Sequence, residues 1–206
     1  MTAAAITFSD AVTTRFRWAH TAVLIVGGAA LIAACAQISI HLGFTPVPIT
    51  GQTFAVLVVG GTLGSIAGAA STALYVAAGA AGAPVYANHS HGWHILSSAS
   101  GGYLVGFVVA AAITGYLSSR KWDRRFSSNL GALLTGNVVI YAFGVLWLAR
   151  DLHLNTQSAL TDGLYPFVPG DLIKLYLAAA VLPTSWRLLG YSYTSAEEEL
   201  AHDLTD

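Results

Sequence analysis

The sequence is poor in charge and nearly free of cysteine. Only 9% of its 206 residues are Asp, Glu, Lys or Arg, whereas 55% are hydrophobic. Water-soluble domains are about a quarter charged, so this composition excludes an ordinary soluble globule, and it also excludes intrinsic disorder. The 9 basic residues are too few for a nucleic-acid-binding face. The single cysteine excludes an internal disulfide framework and a cysteine-based zinc cluster.

The signatures of several enzyme classes are also missing. Neither lysine follows a glycine, so the chain has no G-x4-G-K phosphate loop and cannot hydrolyse ATP by that route. Neither G-x-S-x-G nor H-E-x-x-H occurs. We therefore expect a protein that is not an enzyme, needs no cofactor, and either takes energy from partners or works by facilitated passage.

The few charges are unevenly placed. Residues 18–119 contain no Asp, Glu, Lys or Arg. Each charge near the middle of a bilayer costs about 2.5–3.5 kcal/mol on insertion scales, so membrane helices need such stretches. The fold class that this predicts is an all-α integral membrane protein in contact with lipid.

Apolar runs of about 17–25 residues are long enough to cross a bilayer as helix. The run that begins at Ile49 is too long for one crossing, and glycines near Gly64 favour a tight turn within it. We therefore predict one transmembrane domain over residues 1–206 with six transmembrane helices, at residues 19–40, 49–63, 65–82, 102–117, 130–149 and 170–189.

Basic residues predict the orientation of these spans. With six crossings, one side of the membrane receives seven of them, namely Arg15, Arg17, Arg120, Lys121, Arg124, Arg125 and Arg187. The other side receives only Arg150. The positive-inside rule then places both termini in the cytoplasm, with residues 1–17 as an N-terminal segment and residues 191–206 as an acidic tail.

Asp171 and Lys174 are the acidic and basic residues that remain within the predicted spans proper. Because they are three residues apart at the start of the last span, both project from one face of the helix. In one interpretation the pair is structural, with Asp171 at the positive helix end and Lys174 reaching toward the surface. In the other, the pair faces a cavity and forms hydrogen bonds with a ligand.

Two outer segments carry further polar residues. The loop between spans three and four contains Asn88 and three histidines, His89, His91 and His94. The histidines suggest a metal site, although no carboxylate or cysteine lies nearby in the sequence. Gln52, at the start of span two, is expected either to bond a loop or to point into an outward-facing pocket.

Small residues recur at four-residue spacing in the first span, where Ala29, Ala30, Ala33 and Ala34 form two overlapping stripes. Such stripes let helices approach closely in lipid, either within one chain or between subunits.

Four segments together resemble the BioY family, whose members are biotin-binding substrate-capture (S) components of energy-coupling factor (ECF) transporters. They are PVPITGQTFAVL (46–57), ALYVAAGAAGAPVYAN (73–88), GGYLVGF (101–107) and PFVPGDLIK (166–174). The resemblance implies six helices around an outward-facing pocket, with the loop between helices three and four as its lid. It also implies a multi-pass protein of the prokaryotic plasma (inner) membrane.

The resemblance further assigns roles to residues. Asp171 would accept a hydrogen bond from a ureido N–H of biotin, and Lys174 would donate one to an oxygen of the ligand. Asn88 would supply a mixed contact, as both donor and acceptor. Aromatic walls would come from Tyr86, Tyr103 and Tyr141. The alanines of the first helix would dock a transmembrane T component that is driven by two ATPases, unless the chain works alone.

The sequence departs from the family pattern at the lid, which reads ANHSHGWH rather than a glycine-rich run. Some relatives carry a lid arginine for the biotin carboxylate, but no arginine lies between Arg17 and Arg120. Lid histidines, backbone N–H groups or solvent remain as contacts for that carboxylate. The alternative function, motivated by the same histidines, is a nickel or cobalt uptake subunit.

Overall fold

The computed structural model describes residues 17–188, and most residues in this range are helical. Seven α-helices and one short ribbon follow one another within these described residues. The helices are α1 (Arg17–Ala36), α2 (Gln52–Ala80), α3 (Trp93–Leu96), α4 (Gly101–Ser119), α5 (Phe126–Asp151), α6 (Thr156–Gly163) and α7 (Val168–Leu188). The ribbon joins β1 (Ser39–Ile40) to β2 (Ile49–Thr50) in antiparallel register.

Helix α2 reverses direction at Gly64, which is the one non-helical residue inside it (φ 81°, ψ 178°). Only glycine adopts this backbone region readily, because a Cβ atom would clash there. A Cβ atom on Gly68 would lie 2.8 Å from the Cα of Gly60, so the two arms pack backbone against backbone. Gln52 and Tyr75 also share a hydrogen bond of 2.5 Å, although 23 residues separate them. Helix α2 is therefore a hairpin of two short antiparallel arms.

Within residues 17–188, four helices are long and apolar enough to cross a membrane, namely α1 from Ala19, α2, α4 and α5. A fifth candidate is the pair α6 and α7, which meet at an angle of 52° and qualify together. The described helices begin and end close to the predicted spans, except that α1 stops at Ala36 rather than at residue 40 and α5 begins earlier, at Phe126. Pro183 lies inside α7, which continues to Leu188.

Helix α2 packs against α1 and α4, α4 packs against α5, and α7 closes the bundle against α5 and α2. At one end of the bundle, the loop after α4 meets the last turn of α7. The indole Nε1 of Trp186 donates to Oδ2 of Asp123 at 2.6 Å, and the guanidinium of Arg124 lies 3.5 Å from the centre of the Trp186 ring. Burial raises the pKa of the Asp123 carboxyl, while the Trp186 hydrogen bond and the Arg124 charge oppose this shift. The basic loop at residues 120–125 and the basic end of α7 at Arg187 therefore lie at the same end of the bundle.

The four alanines that form the small-residue stripes of α1 do not share one face. Ala29 is buried in the core and Ala33 packs against that core, whereas Ala30 and Ala34 are exposed. The helical period explains this division, because residues four apart share a face and adjacent residues do not. Of these four alanines, only Ala30 and Ala34 are exposed on the surface of the bundle.

Candidate functional site

A cavity of about 350 Å³ opens at the end of the bundle opposite Asp123. Its volume is in the range of sites for small molecules. The walls come from the segment around the β1–β2 ribbon, the loop between α2 and α4, the first turns of α2, α4 and α7, and the middle of α5. All seven residues predicted to bind substrate line it, namely Gln52, Tyr86, Asn88, Tyr103, Tyr141, Asp171 and Lys174.

The most polar part of the wall is centred on Asp171, whose residue is only 3% exposed. Lys174 Nζ donates to Oδ1 of this carboxylate at 2.8 Å, as expected for residues one helical turn apart. Thr53 Oγ1 donates to the same oxygen at 3.3 Å, and Lys174 Nζ also donates to Thr53 at 3.4 Å. The hydroxyl of Tyr141 donates to Oδ2 at 2.5 Å. Side chains from three helices thus hold one carboxylate in a fixed orientation.

This arrangement has a defined capacity for further hydrogen bonds. The ion pair carries no net charge, which lowers the cost of keeping it away from water. An ammonium group has three N–H donors, and Lys174 uses two of them on its described neighbours. A carboxylate has about four acceptor positions, of which Asp171 fills three. The pair can therefore accept one N–H and donate one N–H to a neutral polar group.

The rest of the wall is aromatic and aliphatic. The Tyr141 ring packs edge-on against Tyr103 and at a tilt against Phe167, with ring centres 6.5 Å apart in both pairs. The hydroxyl of Tyr103 donates to the backbone carbonyl of Gly163 at 2.6 Å, so this residue presents its ring to the cavity. Leu104, Phe107 and Ile140 complete this side. The walls suit an apolar ring or chain.

Gln52 lines the cavity, but its amide already has protein partners. Its Nε2 donates to the Tyr75 hydroxyl at 2.5 Å, and its Oε1 accepts from Thr50 at 2.8 Å. Gln52 therefore bonds neighbouring parts of the protein, which is one of the two roles expected for it. One N–H and one oxygen lone pair of its amide remain available to a ligand.

The loop between α2 and α4 covers one side of the cavity, and we call residues 81–100 the lid. Asn88 has left-handed backbone angles (φ 54°, ψ 41°), which asparagine tolerates better than most residues. Its Oδ1 accepts from Ser39 Oγ at 2.6 Å, and its Nδ2 lies 3.2 Å from Nδ1 of His41. Tyr86, also in the lid, is buried, and this burial raises the pKa of its hydroxyl, which donates to the Val76 carbonyl.

Gln37, which the sequence analysis does not single out, holds the lid in place. Its Nε2 donates to the carbonyls of Val85 and Tyr86 at 3.3 and 3.2 Å, and its Oε1 accepts from the backbone N–H of His89 at 3.0 Å. Nε2 also bonds the carbonyl of Ala33 in the last turn of α1. The sequence signal is a lone amide after an apolar helix, which is too common to be diagnostic.

The described structure does not gather the lid histidines into a group that could hold a metal ion. His89, His91 and His94 are exposed and do not line the cavity. Among residues 17–188, no three His, Cys, Asp or Glu side chains come close enough together to hold a metal ion. The alternative function of nickel or cobalt uptake therefore gains no support from the described structure.

Known proteins resemble the chain in sequence and fold. The biotin transporter BioY of Thermotoga maritima is 41% identical over 152 residues, which are 74% of this chain and 87% of that protein. The biotin transporter BioY of Rhizobium etli is 39% identical over 147 residues, covering 68% and 78% of the two chains. A crystal structure of the S-component for biotin from an ECF-type ABC transporter superposes with a TM-score of 0.78 at 25% identity, covering 85% of this chain and 95% of that one. Residues 6–191 match the sequence profile of the BioY family, and the chain therefore belongs to this family.

Proposed function

We propose that this chain binds biotin in the cavity and serves its uptake as the substrate-capture component of an ECF-type ABC transporter. The observation that carries this function is the buried Asp171–Lys174 pair, which Tyr141 fixes in the cavity wall of a chain that belongs to the BioY family. This is a transport function rather than an enzymatic one, and biotin is the cargo rather than a cofactor.

The chemistry of biotin matches the cavity wall. Its ureido ring offers two N–H donors and one carbonyl, its sulfur ring and valeryl chain are apolar, and the chain ends in a carboxylate. Asp171 has one acceptor position left for a ureido N–H, and Lys174 has one donor left for the ureido carbonyl. The rings of Tyr103 and Tyr141 and the lid residues Tyr86 and Asn88 then enclose the apolar part.

Biotin binding to the purified protein tests this function directly. We expect saturable, stoichiometric binding in detergent or nanodiscs by calorimetry, and a loss of about hundredfold or more in Asp171→Asn and Lys174→Ala. The matched control is Asp151→Asn, which neutralises an exposed carboxylate that does not line the cavity. Absence of saturable binding by well-folded protein would overturn the function.

The proposed topology has six crossings with both termini in the cytoplasm. The crossing segments are α1, the two arms of α2, α4, α5 and α7, and the cavity then opens on the outer side. The chain reversal at Gly64 supports this count, and the contact between Arg124 and Trp186 supports a common side for two basic segments. Single cysteines in a Cys35→Ser background, labelled from outside by an impermeant maleimide, test it. Position 91 should react in intact cells and position 121 should not.

The proposed partners are a transmembrane T component and two ATPases in the prokaryotic plasma membrane, because the chain lacks a nucleotide-binding loop. Docking is proposed through Ala30 and Ala34, the exposed members of the small-residue set, while Ala29 and Ala33 serve internal packing. Co-purification from native membranes tests this assembly. Ala30→Leu or Ala34→Leu should abolish the complex while leaving biotin binding intact. A chain that co-purifies with no such proteins would instead act alone.

A further inference from the structure

The carboxylate of the ligand needs a partner in this cavity, because the chain has no arginine near the lid. Among the cavity-lining residues, all in the described part of the chain, only Lys174 and His41 have side chains that can carry positive charge. Asp171 is the one carboxylate among the same residues. These three groups decide where an anionic tail is most stable.

Lys174 is a poor site for a second carboxylate. Its ammonium is 2.8 Å from Asp171, whose residue is 97% buried, so a further anion there would face that carboxylate at close range. The unfavourable energy of like charges increases as water is excluded. The inner end of the cavity therefore favours a neutral polar group, and the anionic tail is better placed elsewhere.

His41 is a cavity-lining residue that is open to solvent. It follows directly after β1 and is exposed, yet it lines the cavity, so it belongs to the rim. The amide Nδ2 of Asn88 lies 3.2 and 3.3 Å from its two ring nitrogens, which brings the ring to the edge of the lid. No cavity-lining carboxylate other than the buried Asp171 is present to compete for it.

We infer that His41 receives the carboxylate of the ligand at the cavity mouth, with an imidazole N–H as donor and Asn88 beside it. This inference rests on the proposed function and deepens it, because it fixes the direction of the ligand, with the ureido ring inward at Asp171 and the acid outward. The lid histidines were one expected contact for the carboxylate, but they do not line the cavity. The contact that we infer is instead a histidine of the segment between α1 and α2.

A comparison of biotin with biotinamide, which has the same skeleton but an uncharged tail, tests the inference. His41→Ala should weaken biotin binding about tenfold, the effect of one charge-assisted hydrogen bond at a partly exposed site. Binding of biotinamide should change less than about twofold. His41→Lys should restore the affinity for biotin, because it returns a donor and a charge. The matched control is His91→Ala, an exposed lid histidine outside the cavity wall.

The outcomes separate this inference from the proposed function. If unmodified protein does not bind biotin, the proposed function fails. If it binds biotin but His41→Ala weakens both ligands equally, or neither, then His41 does not meet the carboxylate and the inference is wrong. It is also wrong if Lys174→Ala, rather than His41→Ala, abolishes the preference for biotin over biotinamide. Monodisperse elution of each variant checks that it folds.

Discussion

Tyr141 on α5 donates its hydroxyl to Oδ2 of Asp171 on α7 at 2.5 Å, which ties the carboxylate of the last helix to a neighbouring helix. Without this contact, Asp171 would be held only from Oδ1, by Lys174 and Thr53, and could turn about its side-chain bonds. Tyr141 thus has two uses: its ring forms part of the apolar wall, and its hydroxyl orients the acceptor.

Tyr141→Phe separates these two uses, because it keeps the ring and removes the hydroxyl. We predict a loss of about tenfold in biotin affinity, since the carboxylate no longer has a fixed direction. Thermal unfolding of the ligand-free protein should change little by comparison. The matched control is Tyr103→Phe, whose hydroxyl bonds the Gly163 carbonyl rather than Asp171. Equal affinities of Tyr141→Phe and unmodified protein would contradict the orienting role.

The Asp171–Lys174 pair should behave as one unit in stability measurements. Removing one partner of a buried ion pair costs about 3–5 kcal/mol, because the other charge is left without compensation. We predict that Lys174→Met lowers the thermal midpoint and that the double variant Asp171→Asn, Lys174→Met recovers most of the loss. Biotin binding should remain about hundredfold or more weaker in both. Additive effects of the two single changes would show that the charges do not interact.

Gln37 should control how long a ligand stays bound. Gln37→Ala removes the hydrogen bonds that join the end of α1 to Val85, Tyr86 and His89 of the lid. We predict faster amide hydrogen exchange within residues 85–92 and a several-fold faster release of biotin, because the lid opens more often. Gln157→Ala, on the exposed face of α6, is the matched control. Unchanged release in Gln37→Ala would mean that the lid is held by other contacts.

Gly64 should not tolerate a side chain. Its backbone angles (φ 81°, ψ 178°) cost a non-glycine residue on the order of 1–3 kcal/mol. We predict that Gly64→Ala lowers the yield of monodisperse protein and the thermal midpoint. Gly27→Ala provides the control, because a Cβ atom there meets nothing within 4 Å. If both variants have the midpoint of the unmodified protein, α2 does not depend on glycine to reverse direction.

Local signals explain how much of the site the sequence predicts. Asp171 and Lys174 are one helical turn apart, and this spacing alone puts their side chains together. Gly64 is likewise visible, because it interrupts an apolar run too long for one crossing. The family resemblance adds Asn88 and the tyrosines. Each of these residues is predicted from its neighbours in the sequence or from a sequence motif.

Contacts between distant segments escape such reading. Thr53 meets Asp171 across 118 residues, and Gln37 meets Tyr86 across 49. His41 reaches the rim only because the β1–β2 ribbon brings its segment beside Asn88. The four alanines of the small-residue stripes divide into an exposed pair and a pair that packs inward, and this division also depends on which face of α1 meets α2.

By itself, the sequence determined that this chain is a helical membrane protein and that one opposite-charge pair opens its last helix, because charge depletion and helical spacing act over neighbouring residues. Only the tertiary structure decided which polar side chains surround that pair, which residue holds the lid and which histidine lies at the rim. Those outcomes depend on how the helices pack, and packing joins residues whose separation along the chain carries no information about their distance in space.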